Sequence, residues 1–331
     1  MIIETRAFAR AGLLGNPSDG YFGKTISIIV RNFGAHISLY ETPELHIEAM
    51  DQDLNIYKNL YDLVETVNLT GYYGASRLVK ATIKKFAEYC ISNQIKFNGK
   101  NFTIRYDSSI PRQVGLAGSS AIVTATFRAL MKFYNVTIPM EVLPSIILAT
   151  EVEELGINAG LQDRVIQVYE GCVFMDFNRK HLEKKGFGIY EKIDPRLLPN
   201  FYIAYKTNLG KVSGTVFNDL KSRFEKGDER VRTSLGKIAS LAEQGKEAIL
   251  SKDYTKLSTL MNENFDERAK IINISDSNKE LVEIARKCGA SAKFTGSGGS
   301  IIGIYENDDV LKKLIIQLKT INARVIKPHI F

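Results

Sequence analysis

A chain of 331 residues, 44% hydrophobic and 24% charged, has the balance of a soluble globular protein of one large or two modest domains. Its net charge of +7 is interleaved with acids, as in Glu225-Lys226-Gly227-Asp228-Glu229-Arg230, and forms no basic arm, so the surplus fits an anionic small molecule and no nucleic-acid partner is expected. Cys90, Cys172 and Cys288 are too scattered for a disulfide framework or a CxxC zinc site, and no apolar run is long enough to span a bilayer.

The N-terminus Met1-Ile2-Ile3-Glu4-Thr5-Arg6 lacks the layout of a secretory signal, which makes the cytoplasm the expected compartment. Residues 1–40 read as strands: an apolar run from Ala7 ends at Gly15, and Thr25-Ile26-Ser27-Ile28-Ile29-Val30 and His36-Ile37-Ser38-Leu39-Tyr40 flank an Asn32-Phe33-Gly34-Ala35 link. The loop over residues 15–23 is dense in turn residues, yet it carries Asp19, Tyr21 and Phe22, more than a plain turn needs. Leu78, Ile83, Phe86 and Cys90 mark one face of a helix, opposite Lys80, Lys84 and Lys85. Asn101-Phe102-Thr103-Ile104-Arg105-Tyr106 alternates as a strand and leads into a loop at 111–121. The helix after that loop is apolar nearly all round, so it should lie buried between layers. Residues 140–155 read as a helix ended by Gly156, and 171–177 as a strand. The charged stretch near 180–188 marks the expected boundary, which divides the chain into domains 1–185 and 186–331. Beyond it come a strand at 200–205 and helices at 214–226, 229–250 and 253–270. A further helix begins at the capping-box pattern Ser277-Asn278-Lys279-Glu280. The chain closes strand, loop, strand, helix, strand around Thr295-Gly296-Ser297-Gly298-Gly299-Ser300.

The chemistry concentrates in a few places. Pro111-Arg112-Gln113-Val114-Gly115-Leu116-Ala117-Gly118-Ser119-Ser120-Ala121 turns from a glycine-bearing loop directly into a helix. Free N–H groups at such a start, with the positive end of the helix dipole behind them, suit a phosphate, and the serine hydroxyls suit phosphate oxygen or magnesium. An ordinary capped helix is the plainer alternative. The later glycine loop runs into a strand rather than a helix, so it is no dinucleotide fingerprint, and no GxxxxGK[ST] occurs. Asp163, beside Arg164 in apolar surroundings, is either an ion-paired turn residue or a carboxylate poised to orient a hydroxyl. Of Glu151, Glu153 and Glu154, at most one should face inward as a magnesium ligand. Arg10, in an apolar strand, needs a polar pocket to explain it. His36, His46, His181 and His329 show no metal-ligand spacing.

Together these pieces resemble the GHMP small-molecule kinases: the stretch from Arg10 to Asp19 resembles that superfamily's first motif, 111–121 its second and 293–300 its third. The loops Gly12-Leu13-Leu14-Gly15-Asn16-Pro17-Ser18-Asp19, Gly71-Tyr72-Tyr73-Gly74, Ile110-Pro111-Arg112-Gln113 and Leu155-Gly156-Ile157-Asn158-Ala159-Gly160-Leu161-Gln162-Asp163-Arg164 are most similar to the plant-type glucuronokinase branch. The resemblance implies an α+β fold, with a ribosomal-S5-like N-terminal domain, a ferredoxin-like C-terminal domain and the active site between them. It implies an ATP- and Mg2+-dependent kinase for the 1-hydroxyl of a uronic acid, D-glucuronate above others. Another anomeric sugar kinase, of heptose-7-phosphate or galactose type, is the alternative, and a non-catalytic sensor a more distant one. By resemblance, the nucleotide phosphates lie over Pro111, Gly115, Leu116, Ala117, Gly118, Ser119 and Ser120, backed by Gly296, Ser297 and Gly298. Ser119 and Glu151 take the metal, with Ser120 an open alternative to Ser119; Asp163 engages the acceptor hydroxyl and Arg10 the transferring phosphoryl group. Asn16, Asp19, Tyr21 and Tyr72 face the sugar, and Arg112, Arg164 or Lys211 meets its carboxylate.

Overall fold

The computed structural model describes residues 2–48, 56–70, 72, 76–207 and 215–331. Strand β1 (Ile2–Leu14) alternates exposed and buried residues at first, then is buried on both faces from Ala9 onward. β2 (Lys24–Thr42) is its antiparallel partner and a single strand, where two strands joined by a link were expected. The register slips between the Phe8–Gly34 and Ala9–Val30 pairs, so the link is a bulge rather than a turn. The bulge is supported from both sides. The Arg31 guanidinium lies 4.7 Å over the Phe8 ring, and Asn32 donates to Lys327 O while accepting from His329 N.

β3 (Leu45–Glu48), β4 (Ile56–Tyr57), α1 (Leu60–Thr70), α2 (Arg77–Ser92), β5 (Asn101–Ser108), α3 (Gly118–Tyr134) and α4 (Leu143–Ala149) follow. Ile83, Phe86 and Cys90 of α2 are buried as their spacing predicts, but Lys80, expected on the polar face, is buried too. α4 runs on as a π-helical turn (Thr150–Glu154), and then come α5 (Gln162–Tyr169), β6 (Cys172–Asp176), α6 (Arg179–Lys185) and β7 (Ile189–Ile193). The first sheet has the order β4-β3-β5-β2-β6-β7, with β1 on the other edge of β2. α3 packs against β1 and β2 on one side and α2 and α5 on the other, which is why its apolar residues run all round it.

β7 still pairs with β6, and Ile193 is buried in the same core. The expected boundary at 185/186 therefore cuts the first sheet, and we propose 194–200 in its place. The second sheet begins with β8 (Phe201–Lys206), followed by α7 (Thr215–Glu225), α8 (Glu229–Leu250), α9 (Tyr254–Ile271), α10 (Asp276–Lys287), β9 (Lys293–Phe294), β10 (Ser300–Ile304), α11 (Asp308–Lys319) and β11 (Ala323–Ile326). Its order is β11-β8-β10-β9, all neighbours antiparallel, the split βαβ arrangement of a ferredoxin-like domain. The expected capping box does not form, because α10 starts earlier than that pattern, with Ser275 at the cap position; Ser277 lies inside the first turn and its hydroxyl accepts from Lys206. α8 and α9 bridge the halves: Leu241, Ile249, Leu257 and Met261 join the core of the first sheet, while Val231, Ile238, Phe265 and Ile271 join that of the second. Among the described residues, no helix is long and apolar enough to cross a membrane.

Candidate active site

α3 starts without a side-chain cap; Ala117, left-handed at φ 60° and ψ 48°, holds the cap position. Among the described residues no backbone acceptor engages the N–H groups of Gly118, Ser119 and Ser120, so the positive end of the helix is open to an anion. The unusual backbone at Ala117 is pinned through its carbonyl, which accepts from Gln167 Nε2 (2.9 Å), Ser120 Oγ (3.2 Å) and Ala121 N (3.2 Å). That contact turns Ser120 inward and buries it, whereas Ser119 Oγ donates to Glu151 Oε1 at 2.7 Å. The resemblance put Ser119 in the metal position with Ser120 as an open alternative; in the fold the two hydroxyls have different partners, Glu151 for Ser119 and the Ala117 carbonyl for Ser120.

The second glycine loop lies directly behind the first. Gly115 has φ 72°, and a Cβ there would sit 2.9 Å from Gly298 O and 3.0 Å from Ser297 N. Ser300 Oγ donates to Val114 O (2.5 Å), Thr295 Oγ1 to Gly115 O (3.1 Å), and Arg268 to Gly296 O (2.7 Å). Gly296 and Gly298 are buried in this backing and Ser297 is exposed, while Leu116 is a core residue and Pro111 is half-buried.

Arg10, 4% exposed, answers the puzzle of a cation in an apolar strand. Its Nε and Nη2 grip Asp163 Oδ1 and Oδ2 at 2.6 and 2.9 Å, and Nη1 donates to Gly115 O at 2.6 Å and Thr295 O at 3.2 Å. Asp163 lies in the first turn of α5 and keeps 19% of its side chain exposed. Burial pushes its carboxyl up, but Arg10, Arg164 and a bond from Gln162 outweigh that and hold it below the usual carboxylate range. Glu151, fully buried in the π-helical turn, binds Ser119 with one oxygen and Arg164 with the other.

Asp19 stands on a single 3-10 turn (Ser18–Tyr21) and accepts from Gln162 N at 3.2 Å. A Cβ on Gly160 would fall 2.0 Å from Asp19 Oδ2, so only glycine lets that loop pass. Burial first, and then the Asp163 charge, push the Asp19 carboxyl up to about 6. Between its ordinary 3.8 and about 6 the folded chain binds a proton that the unfolded chain releases, so Asp19 costs stability increasingly as pH rises through that window. Asp19→Asn is therefore expected to raise the thermal midpoint by a few degrees at neutral pH. The gain should shrink towards a pH of about 4; melting curves across this range check it, and a gain independent of pH would contradict it.

The remaining expectations divide. Asn16, expected to face the sugar, is buried and tied into the fold: its Oδ1 accepts from Lys293 Nζ (2.5 Å) and its carbonyl from Asn264 Nδ2 (3.2 Å). Tyr21 is half-buried, its ring 4.9 Å from Phe224 of α7 in the second half of the chain. The Tyr72 hydroxyl donates to Glu154 Oε2 (2.6 Å), within a cluster that includes Lys84 and Lys85, and not towards Asp163. Arg164, 3% exposed, is turned inward onto Glu151 and so is withdrawn from a substrate carboxylate. Arg112 is exposed on the phosphate loop and enters no ion pair among the described residues. Lys211, Gly71, Tyr73 and Gly74 lie outside the described residues.

Lys293 and Asn264 were not foreseen as parts of the site. Lys293 Nζ also donates to Gly12 O (2.8 Å) and Phe294 O (2.7 Å), and Gly15 N donates to Asn264 Oδ1 (2.7 Å). These groups come from the second half of the chain and clamp the loop that carries Asp19. Burial, then the nearby Arg268 and Arg10 charges, hold the Lys293 ammonium well below its usual range. The lysine beside the second glycine loop was a visible signal; Asn264, inside a polar-looking helix, gave none. Hollows on the described surface lined by residues 169–172 with 192–195, and by residues of α10, include neither Asp163 nor the 111–121 loop.

The signature described as GHMP kinases N terminal domain matches residues 77–171, and that described as GHMP kinases C terminal matches 246–320. The chain belongs to the GHMP kinases and is an ATP-dependent phosphotransferase. It is 48% identical over 308 residues to a probable glucuronokinase 2 of Arabidopsis thaliana, covering 91% of this chain and 84% of that one. Glucuronokinase 1 of the same plant is 46% identical over 306 residues, with the same coverage. In fold it is similar to Lactococcus lactis galactokinase solved with galactose, at a TM-score of 0.80 over 99% of this chain and 93% of that one, with 16% identity.

Proposed function

We propose that the chain transfers the γ-phosphoryl group of ATP, with Mg2+, to the anomeric 1-hydroxyl of D-glucuronate. The observation that carries this reading is the likeness of nearly half of all positions, over nine-tenths of the chain, to two glucuronokinases. Glu151 and Ser119 offer the hard oxygen donors that Mg2+ prefers, beside an open helix start. Among the described residues no group of three or more His, Cys, Asp or Glu could hold a metal. The pair therefore fits an ion that arrives with the nucleotide and keeps phosphate and water ligands. Bound there, Mg2+ supplies charge neutralisation on the phosphate oxygens.

The protein's own groups do the rest by positioning. The amides of Gly118, Ser119 and Ser120 receive the phosphates. Asp163, held ionised by its two arginines, accepts the hydrogen bond of the 1-hydroxyl and aims its oxygen at the γ-phosphorus. The new O–P bond forms as the bond to the β,γ-bridging oxygen breaks, ADP leaves with that electron pair, and the hydroxyl proton passes to Asp163 and on to solvent. Arg10 fixes Asp163 against the phosphate loop and adds positive charge where the phosphoryl group passes. Asp19 and Tyr21 line the sugar side.

The free guanidinium of Arg112 is the cation assigned to the uronate carboxylate. Arg112→Ala is expected to lower kcat/KM for glucuronate about 10–100-fold, the scale of a lost charged hydrogen bond, with little change for glucose. A ratio of the two unchanged from wild type would remove Arg112 from this role. An ADP-release assay over neutral sugars, uronic acids and sugar phosphates tests the assignment as a whole, with glucuronate expected to give the highest kcat/KM.

A further inference from the structure

Arg164 makes contacts that no substrate-binding role explains. Its Nε donates to Glu151 Oε2 at 2.8 Å and Nη2 bonds the same oxygen. Nη1 donates to Gly160 O at 2.9 Å and pairs with Asp163 Oδ2 at 3.3 Å. The circuit closes on the phosphate loop at both ends: Ser119 Oγ binds the other Glu151 oxygen, and Arg10 joins Asp163 to Gly115 O. Among the described residues Arg164 is the side chain that touches both the carboxylate on the nucleotide side and the carboxylate on the acceptor side. The carbonyl it holds belongs to Gly160, against which Asp19 packs.

We propose that Arg164 is a positioning residue that makes nucleotide binding and uronate binding cooperative. The inference rests on the reading that the nucleotide lies over the start of α3 and the uronate beside Asp163. Glu151, once shared with a Mg2+-bearing nucleotide at the start of α3, would hold Arg164 less firmly. The guanidinium, nearly sealed from water, then has Asp163 as its remaining acid. The 3.3 Å pair is the slack contact of the circuit and the one that can tighten. Tightening fixes the Asp163 carboxylate that receives the sugar hydroxyl, and by reciprocity a bound uronate strengthens nucleotide binding.

Titration calorimetry of D-glucuronate, with and without saturating Mg2+ and the β,γ-imido analogue of ATP, tests this on the whole chain. The analogue is expected to tighten uronate binding to the wild type about 5–150-fold. In Arg164→Gln, and in Arg164→Lys, which keeps the charge but cannot span two carboxylates, the enhancement is expected to fall to within about twofold of none. The dissociation constant for uronate alone should move far less. Melting curves establish that the variants are folded; should neither fold, Glu151→Gln, first titrated with the analogue to fix a concentration that saturates it, cuts the circuit at its nucleotide end and is expected to lose the enhancement in their place. A wild type that binds both ligands independently, or a folded variant that keeps the full enhancement, overturns the proposal alone. A wild type that binds no uronate overturns the assigned substrate with it.

Discussion

Replacing Asp163 with asparagine is expected to lower turnover about 10²–10⁴-fold and to leave a folded, ATP-binding protein. The substitution keeps the shape of the side chain and removes the acceptor for the hydroxyl proton. The fold should survive because neither neighbouring cation loses its other bonds. Arg10 keeps the carbonyls of Gly115 and Thr295, and Arg164 keeps Glu151 and Gly160 O. An anomeric hydroxyl is more acidic than an ordinary alcohol, so part of the loss should come from misalignment rather than from the missing base. Steady-state ADP release together with nucleotide titration checks both halves. Turnover near that of the wild type would remove Asp163 from the reaction.

Arg10→Met is expected to cost about 10²–10³ in turnover, the scale of losing one preorganised charged donor. The change removes the two bonds that orient Asp163 and the strut from Asp163 to the phosphate loop. It also has a signature in pH. Arg10 is the foremost of the influences holding the Asp163 carboxyl down against its burial. Without it the carboxyl moves up, so the acid limb of kcat, measured at saturating sugar, should shift to higher pH in the variant. A uniform loss with an unmoved limb would mean that Arg10 acts on the transferring phosphoryl group and not through the Asp163 carboxyl.

Much of this was legible from local signals. The glycine-serine loop running into an apolar helix announced α3 and its open start, because backbone freedom and burial leave marks within a few residues. Arg10 was equally conspicuous, since an arginine in a buried strand demands a partner. Other features were hidden because they depend on contacts distant in sequence. Nothing in residues 31–35 tells a bulge from a turn; the contacts of Arg31 with Phe8 and of Asn32 with the tail decide it. Asn16 looked like a ligand because it shares a loop with Asp19, but Lys293 and Asn264 reach across from the second half of the chain and occupy it. Arg164 sits beside Asp163 in sequence, which made a substrate role natural; the rotation of about 100° between consecutive helical residues points it at Glu151 instead. The charged stretch near 185 looked like a linker for a similar reason; it belongs to a short surface helix between two strands of one sheet, which is why we place the boundary after them.

The central claim is that phosphate is delivered to the anomeric oxygen of a uronate held against Asp163. Phosphorus-31 NMR of the product formed from ATP, Mg2+ and D-glucuronate tests it most directly. A single ester resonance split by the proton on carbon 1 is expected. An ester at any other carbon, or hydrolysis of ATP with no sugar phosphate formed, would contradict it.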